Sequence, residues 1–456
     1  MQENLAQVSR EFIDSLCGEF LKNNHIDPAD YENVDVKRGL RNADGTGVMA
    51  GLTKIGNVLG YVLQDGERIP KPGRLIYRGI DIEDLIDGFL SENRFGFEET
   101  AYLLLFGALP NRKQLDMFQH ILNESCTLPP NFTEDMIIKA PSHDVMNKLA
   151  RSVLALYSYD PCPDNHELAN ELRMAIELIA RCPTIVAHAY AVKRHYFDNE
   201  SLYLHRPQEG LSVAENFLYS VRHDNQFTPE EAKLLDLCLV LHAEHGGGNN
   251  SAFACRVLSS SGTDIYSAIS AAVGSLKGPR HGGANKKVME MFHYIGDGVK
   301  DWEDEDEIRA FLKKILKGEA GDGSGLIYGI GHAVYTLSDP RAVILKRCAK
   351  RQAERAGMLD EFNLFETVER VAPDVLLDAK KGKKIVCANV DMYSGLVYKM
   401  MGIPEELYTP LFAISRMVGW CAHRIEEVFS PGNKIIRPAY KAVTHSVPFV
   451  PMDSRI

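Results

Sequence analysis

The chain has 456 residues, of which 45% are hydrophobic and 25% charged, and its formal net charge is −11. These values are typical of a globular protein large enough for more than one core, and the negative charge disfavours nucleic acid as a partner because it repels polyanions. The lack of a long apolar run and the acidic N-terminus argue against a membrane span, a secretory signal and a mitochondrial presequence, so the sequence predicts a cytoplasmic protein with no membrane partner.

The N-terminal part predicts one helix and the only convincing β region. The first 45 residues are polar and predict an amphipathic helix followed by extended chain. Residues 57–63 are strand-like, Asp65-Gly66 is a turn signal, and residues 67–77 carry two prolines. Because proline cannot donate to a strand ladder, any sheet there should be short and edge-like. We therefore expect a minor N-terminal β hairpin.

Most of the remaining sequence predicts helices with recognisable ends. Thr228 opens a capping box, with proline at the first helical position, for a helix that runs toward His242. Thr263-Asp264 caps a second helix that ends at Gly278-Pro279. The fold class expected is mainly α. This second helix is residues 265–277, and the further predicted helices are residues 302–319 and 410–429.

Two breaks in the pattern predict domain boundaries. One is Gly278-Pro279 and the other is the lysine-rich run at residues 380–384, with a glycine-dense segment between them. We read this segment as a smaller domain inserted into a larger one. The expected division is a large helical domain of residues 1–280 and 393–456, and a small helical domain of residues 281–392.

Three short segments each place a proton-handling side chain beside small residues. They contain His281, His332 and Asp391. Two imidazoles and a carboxylate can remove a proton from carbon and stabilise the resulting oxyanion. Taken singly, His281 could cap the preceding helix, and the loop of His332 could be a tight turn. Asp391 could likewise cap a helix that begins near Ser394.

Further polar residues suggest anion binding or a metal. Arg341, Arg416 and Arg437 could bind carboxylates through two parallel hydrogen bonds, although a surface ion pair is the default, and Asp339 could simply neutralise Arg341. His242 and His245 have a spacing that could serve zinc, but no third ligand is evident. We interpret His245 as a hydrogen-bond donor to a ligand.

The order and flanks of these segments resemble the citrate synthase family over roughly residues 40–445. The shared motifs are Gly-Pro-x-His-Gly-x-Ala-Asn, Gly-x-Gly-His-x-Val, Val-Asp-x-x-Ser-Gly and an early Tyr-Arg-Gly-Ile. The resemblance implies a nearly all-helical homodimer whose two domains close over oxaloacetate before acetyl-CoA reacts. It implies no metal and no cofactor, with acetyl-CoA as co-substrate.

The resemblance also implies roles for individual residues. Asp391 would take the methyl proton of acetyl-CoA, His281 would donate to the thioester oxygen, and His332 would polarise the oxaloacetate carbonyl. The large domain would serve dimerisation and part of oxaloacetate binding, and the small domain would bind acyl-CoA and carry the catalytic residues. The residues implied to hold oxaloacetate are His245, Arg341, Arg416 and, from the partner subunit, Arg437.

One departure leaves the coenzyme A site open. Many relatives carry a basic residue shortly after the second histidine, whereas residues 334–337 are uncharged here, so Arg280, Lys286 or Lys287 could bind the phosphates instead. Our first hypothesis is citrate (Si)-synthase, and its nearest rival is 2-methylcitrate synthase, which uses propionyl-CoA. Two hypotheses from different classes are a metal-dependent hydrolase that uses His242 and His245, and a non-catalytic helical binding protein.

Overall fold

The computed structural model describes residues 2–32, 34–65, 67–379, 386–444 and 446–455. Contacts divide the chain into two units, Met1–Gly51 with Ile436–Ile456, and Leu52–Ile435. The boundary expected at residues 380–384 lies outside the described residues, apart from its flanks. The other expected boundary, at Gly278-Pro279, falls inside the second unit, so the division into large and small domains stays a prediction.

The first unit contains the N-terminal helix and a C-terminal segment with little regular structure. Helix α1 spans Gln2–Asn23, which confirms the expected N-terminal helix. The chain after it forms two short 3-10 turns, Pro28–Tyr31 and Arg38–Leu40, and an isolated antiparallel bridge joins Arg41 to Gly47. A third short turn, Met452–Ser454, lies near the C-terminus.

The second unit carries most of the helices, and the mainly α fold class is confirmed. The structure is 59% helical, with sixteen α-helices and one three-stranded sheet among the described residues. The strands are β1 Gly56–Gln64, β2 Glu67–Tyr77 and β3 Ile80–Asp81. The helices of this unit are α2 Ile82–Ser91, α3 Phe97–Phe106, α4 Arg112–Ser125, α5 Val145–Leu156, α6 Leu168–Asp198, α7 Val213–Val221, α8 Pro229–His242, α9 Asn250–Ser259, α10 Ile265–Lys277, α11 Ala284–Gly298, α12 Glu305–Leu316, α13 Pro340–Ala356, α14 Leu359–Ala379, α15 Asp391–Met400 and α16 Tyr408–Phe429.

The predicted caps set the starts of several helices. The Thr228 hydroxyl accepts from the Glu231 N–H at 3.2 Å, and Glu231 accepts in return from the Thr228 N–H at 2.8 Å, which opens α8. Asp264 accepts from the Ser267 N–H at 2.8 Å and opens α10. Helix α12 begins later than the predicted 302–319 because Asp304 accepts from two N–H groups of its first turn, and it ends at Leu316.

The hairpin is confirmed, but β2 is longer than its prolines suggested. It pairs antiparallel with β1 over most of its 11 residues. The ladder register shifts between Leu59 and Tyr61, and Pro72 falls within this irregularity, where no ladder hydrogen bond is needed. The glycines of the hairpin allow a close approach: a Cβ on Gly73 would lie 2.2 Å from the Ser338 carbonyl oxygen. The hairpin therefore packs tightly against the loop that follows His332.

Long buried helices form the core of the second unit. Helix α16 is buried over nearly its whole first four turns and packs against α6, α8 and α9. Within the described residues, α6 is the one helix long and apolar enough to cross a membrane, but 83% of its most apolar window is buried inside the protein. A helix that forms part of a protein core is buried to the same extent. Because α16 runs through this core, it can place a polar side chain where water is excluded.

Candidate active site

The site is assembled from loops, helix starts and the interior of one helix in the second unit. His245 follows α8, His281 precedes α11, and His332 lies in the loop before α13. Asp391 is the first residue of α15. Arg341 lies in the first turn of α13, and Arg416 lies within α16.

A short antiparallel pairing brings the second and third motifs together. Gly331 donates its N–H to the Cys387 carbonyl at 2.7 Å, and Asn389 donates to the Gly329 carbonyl at 2.9 Å. The Asn389 side chain then donates to the Gly331 carbonyl at 2.9 Å and accepts from the Asp391 N–H at 3.0 Å. Gly331 has a φ of 103°, which favours glycine at this position. This pairing fixes the loop of His332 beside the start of α15.

His332 is held in one tautomer by backbone groups. Its Nδ1 accepts from the N–H groups of Val334 and Tyr335, each at 3.1 Å, so the neutral ring carries its proton on Nε2. The ring stacks on Tyr335 with centroids 4.5 Å apart and meets His245 edge to face at 5.1 Å. Two of the predicted histidines are therefore neighbours, and one presents a defined donor nitrogen.

His281 does not cap the preceding helix through its side chain. Its Nε2 lies 3.0 Å from the hydroxyl of Ser251, a residue of α9. That hydroxyl also lies 3.0 Å from the indole N–H of Trp420 and 2.9 Å from the side chain of Asn249, and these three partners saturate it. Burial, with the positive charge of Arg416, lowers the pKa of His281 to about 4. The imidazole is therefore neutral at pH 7.

Asp391 begins α15 itself, three residues earlier than the helix start predicted near Ser394. Its Oδ1 is buried without a hydrogen-bond partner among the described residues, so this atom does not cap the helix. Burial raises the pKa of Asp391 to about 7; Arg341 opposes this rise, Asp339 adds to it, and Arg416 opposes it. A carboxylate with this pKa can accept a proton near neutrality.

Arg416 presents two buried donor groups toward the cluster. It is 1% exposed, its Nε donates to the His242 carbonyl at 2.6 Å, and both Nη1 and Nη2 are buried without a partner in the described residues. Burial lowers its pKa to about 10, so the guanidinium remains charged at neutral pH. Buried donors are normally satisfied, and a buried charge usually has a partner. The arrangement therefore suits an anion bound at the two Nη groups.

Arg341 and His245 complete the polar cluster. The alternative of a surface ion pair does not describe Arg341 and Arg416, because both are buried. Asp339 does pair with Arg341, through Nε at 3.0 Å and Nη2 at 2.8 Å. His245 is 8% exposed with an unpartnered Nε2. Burial first, then the charges of Arg341, His332, Arg416 and His281, holds its pKa well below the usual range.

The remaining predicted binding residues are not among the groups of this cluster. Arg437 is exposed and belongs to the other unit, so its role stays a prediction. Lys287, offered for coenzyme A phosphates, pairs with Glu290 at 2.7 Å and with Asp322 at 3.5 Å. Arg280 and Lys286 flank the start of α11, and their part in coenzyme A binding is likewise a prediction.

A metal site at His242 and His245 is not supported by the geometry. His242 is buried, its Nδ1 donates to the Cys238 carbonyl at 2.7 Å, and its ring meets Phe412 edge to face at 4.4 Å. Burial lowers its pKa to about 3. No group of three or more His, Cys, Asp or Glu side chains in the described ranges is placed to hold a metal ion. His242 is best read as a core residue.

Several residues of the site carry no signal in the local sequence. Ser251 and Trp420 contact His281 or its partner across more than two dozen residues of sequence, and no local pattern announces such a contact. Tyr335 contacts His332 and His245, but the sequence marks it only as an uncharged residue. Asn389 was the one detectable case, because an asparagine two residues before an aspartate often binds the backbone N–H at that distance.

Comparison with known proteins places these features in one family. The family profile described as citrate synthase, C-terminal domain, matches residues 43–439. The chain is 37% identical over 374 residues to a citrate synthase of Acidithiobacillus ferridurans, covering 80% of this chain and 88% of that one. It is 36% identical over 385 residues to citrate synthase 2 of Bacillus subtilis, covering 84% and 93%.

Solved structures give the same result. Citrate synthase from Thermotoga maritima superposes with a TM-score of 0.72 at 30% identity, covering 92% of this chain and 99% of that chain. The enzyme from Thermoplasma acidophilum, solved as a ternary complex with carboxymethyl coenzyme A and oxaloacetate, superposes with a TM-score of 0.74 at 26% identity, with the same coverage.

Proposed function

The chain belongs to the citrate synthase family of acyl-transferring enzymes, and from this premise we propose that it is a citrate (Si)-synthase. In this proposal it condenses acetyl-CoA with oxaloacetate and water to give citrate and CoA. The observation that carries the proposal is the buried guanidinium of Arg416, whose two unpartnered Nη groups lie in the same cluster as Asp391, His281 and His245.

Oxaloacetate is the ligand that suits the two buried arginines. It carries two carboxylates, and a guanidinium binds a carboxylate with matched geometry and charge. Arg416 offers Nη1 and Nη2 to one carboxylate, Arg341 binds the other, and the unpartnered Nε2 of His245 offers a further hydrogen bond. The Thermoplasma enzyme with oxaloacetate bound supports this choice of substrate by its likeness to the chain.

Asp391 and His281 form the enol of acetyl-CoA in this scheme. A proton beside a thioester is too weakly acidic for a carboxylate alone, so a donor must stabilise the oxygen as the proton leaves. We assign this donor role to His281, whose ring the Ser251 hydroxyl orients through Nε2 at 3.0 Å. Its low pKa keeps the ring neutral, so it does not form an ion pair with Asp391.

His332 acts on the second substrate. Its Nε2–H donates to the ketone oxygen of oxaloacetate, which makes the carbonyl carbon a better target for the enol carbon. The new carbon–carbon bond gives citryl-CoA, and water then cleaves the thioester to citrate and CoA. The backbone bonds to Nδ1 support this role because they keep the donor proton on Nε2.

We also propose a homodimer in which Arg437 reaches the site of the partner chain. The unit that contains Arg437 exposes large apolar side chains, among them Met49 at 82%, Tyr440 at 95% and Phe449 at 83%. Apolar side chains exposed to this extent are typical of a surface that another chain covers. Closed symmetric dimers are the most common assemblies of soluble proteins.

The test follows thiol release from acetyl-CoA and from propionyl-CoA, each with and without oxaloacetate. We expect release from acetyl-CoA only when oxaloacetate is present, with kcat/KM about 10-fold or more above that for propionyl-CoA, since one methylene changes specificity by roughly 10–200-fold. A preference for propionyl-CoA would instead identify a 2-methylcitrate synthase. Release that does not depend on oxaloacetate would refute both.

A further inference from the structure

Asp339 joins two parts of the proposed site through a single carboxylate. It is 1% exposed, and its Oδ1 accepts from the backbone N–H and the Nε of Arg341, both at 3.0 Å. Its Oδ2 accepts from Arg341 Nη2 at 2.8 Å and from the Val390 N–H at 3.2 Å. Val390 directly precedes Asp391. One side chain therefore contacts both the keto-acid arginine and the segment that carries the proposed base.

We propose that Asp339 is a positioning residue that holds the guanidinium of Arg341 against the backbone of the Asp391 segment. The arginine that binds a substrate carboxylate and the base then keep a fixed separation. This inference rests on the proposed function, since it assigns Arg341 and Asp391 to one reaction. It differs from simple neutralisation of Arg341, because an ion pair alone does not require the bond to Val390.

Comparison with the other helix caps of the chain separates this role from ordinary capping. Asp264 and Asp304 accept N–H groups from the first turns of α10 and α12 without an arginine partner, whereas Asp81, which caps α2, accepts from the Glu83 N–H at 3.1 Å and from Arg74 Nε at 2.8 Å. The bond from the Val390 N–H, which belongs to a remote segment, is what distinguishes Asp339 from Asp81. Capping of α13 uses only Oδ1 of Asp339. Its Oδ2 accepts from Arg341 Nη2 and from the Val390 N–H instead. The two carboxylate oxygens together therefore occupy Nε and Nη2 of the arginine. The Nη1 edge of Arg341 is then the edge that meets a substrate.

The charge of Asp339 also acts on Asp391. The charged groups in the described residues that act on this carboxyl are Arg341 and Asp339 from the start of α13 and Arg416 from α16, and it faces the phenol of Tyr398 on its own helix. Asp339 opposes ionisation of Asp391, whereas the arginines favour it. Removal of the Asp339 charge therefore lowers the pKa of Asp391, and the base ionises at lower pH.

The experiment compares Asp339→Asn with Asp264→Asn, which removes a buried capping carboxylate away from the site. Asparagine is a good cap and keeps the Oδ1 bonds, but its amide nitrogen cannot accept from Arg341 or Val390. We expect Asp339→Asn to raise KM for oxaloacetate by about tenfold or more, because a lost bond to a charged group has this effect. We expect the acid limb of kcat/KM for acetyl-CoA to move to lower pH, and neither change in Asp264→Asn.

The outcomes separate this inference from the proposed function. A wild-type enzyme without oxaloacetate-dependent thiol release would refute the function itself. If the wild type is active, and Asp339→Asn changes neither the KM for oxaloacetate nor the acid limb of kcat/KM, only the positioning role is refuted. If Asp339→Asn does not fold, Asp339→Ser keeps a cap while removing Oδ2, and the same two shifts are expected. Equal effects in Asp264→Asn, or failure of both Asp339 variants to fold, would mark Asp339 as a structural residue and overturn the inference.

Discussion

Arg416, Asp391 and His245 each hold a buried polar atom that no described protein group satisfies. Such atoms are rare in folded proteins because an unpaired buried donor or acceptor destabilises the fold by about 1–3 kcal/mol, and more when it is charged. Their occurrence in one cluster supports the proposal that these groups bind a ligand. The sequence could predict the residue types, but the lack of partners is a property of the packing.

Replacement of the proposed base tests the role of a single atom. We expect Asp391→Asn to lower kcat by about 10²–10⁴-fold, the usual contribution of a general base, while KM for oxaloacetate changes only a few-fold. Steady-state kinetics measures both constants. Asp304→Asn, which changes an exposed cap of α12, serves as the control and should keep kcat. A turnover of Asp391→Asn close to that of the wild type would contradict the assignment.

The pH dependence follows from the same carboxylate. Asp391 accepts a proton only when ionised, and burial raises its pKa to about 7, so kcat/KM for acetyl-CoA should rise with pH through about 7 and then level. His281, with a pKa of about 4, stays neutral across this range and adds no second limb. A pH–rate profile measures the limb. A profile that stays level down to about pH 5 would mean that the base has an ordinary carboxyl pKa.

At the scale of elements, local signals predicted helix starts better than helix partners. The caps at Thr228 and Asp264 lie where the sequence placed them, because a cap is formed by residues within one turn. The start of α15 at Asp391 was misplaced, since that helix is aligned by the antiparallel pairing with the His332 loop. The sequence predicts too short a β2 because a register shift accommodates Pro72. Tertiary contacts decided both cases.

The contact between the hairpin and the His332 loop gives a prediction for this scale. A Cβ on Gly73 would lie 2.2 Å from the Ser338 carbonyl, so Gly73→Ala must push the loop away from the hairpin. We expect a loss of about 1–3 kcal/mol in the free energy of unfolding, together with lower kcat/KM for oxaloacetate. Thermal or denaturant unfolding and kinetics measure the two effects.

Gly88 provides the matched control for that substitution. It lies within α2, and a Cβ there would meet nothing within 4 Å. Gly88→Ala should therefore leave activity unchanged and raise stability by about 1 kcal/mol through helix propensity. If Gly73→Ala proved as stable and active as Gly88→Ala, the hairpin would not position the loop.

At the scale of the whole molecule, the two units have different characters. Leu52–Ile435 contains every predicted site residue except Arg437, and it holds the buried core. The other unit exposes large apolar side chains, which a partner chain would cover in the proposed dimer. The sequence motifs could not predict this exposure, because it depends on which surfaces the chain leaves uncovered.

A mixing experiment tests whether Arg437 serves the partner's site. Asp391→Asn and Arg437→Ala should each be nearly inactive alone. Random mixing of equal amounts after dissociation should restore about one quarter of the wild-type activity, because half the dimers are mixed and each has one intact site. Mixing each variant with itself is the control. A mixture that stays inactive although mixed dimers form would show that Arg437 does not act across the dimer.

A structure of the enzyme with oxaloacetate bound tests the central claim most directly. We predict that one substrate carboxylate lies within hydrogen-bond distance of both Nη1 and Nη2 of Arg416, and that the ketone oxygen faces Nε2 of His332. The Asp391 carboxyl should open on the same space, within reach of an acyl-CoA methyl group. Oxaloacetate bound elsewhere, with both Nη groups of Arg416 still unpartnered, would contradict the account.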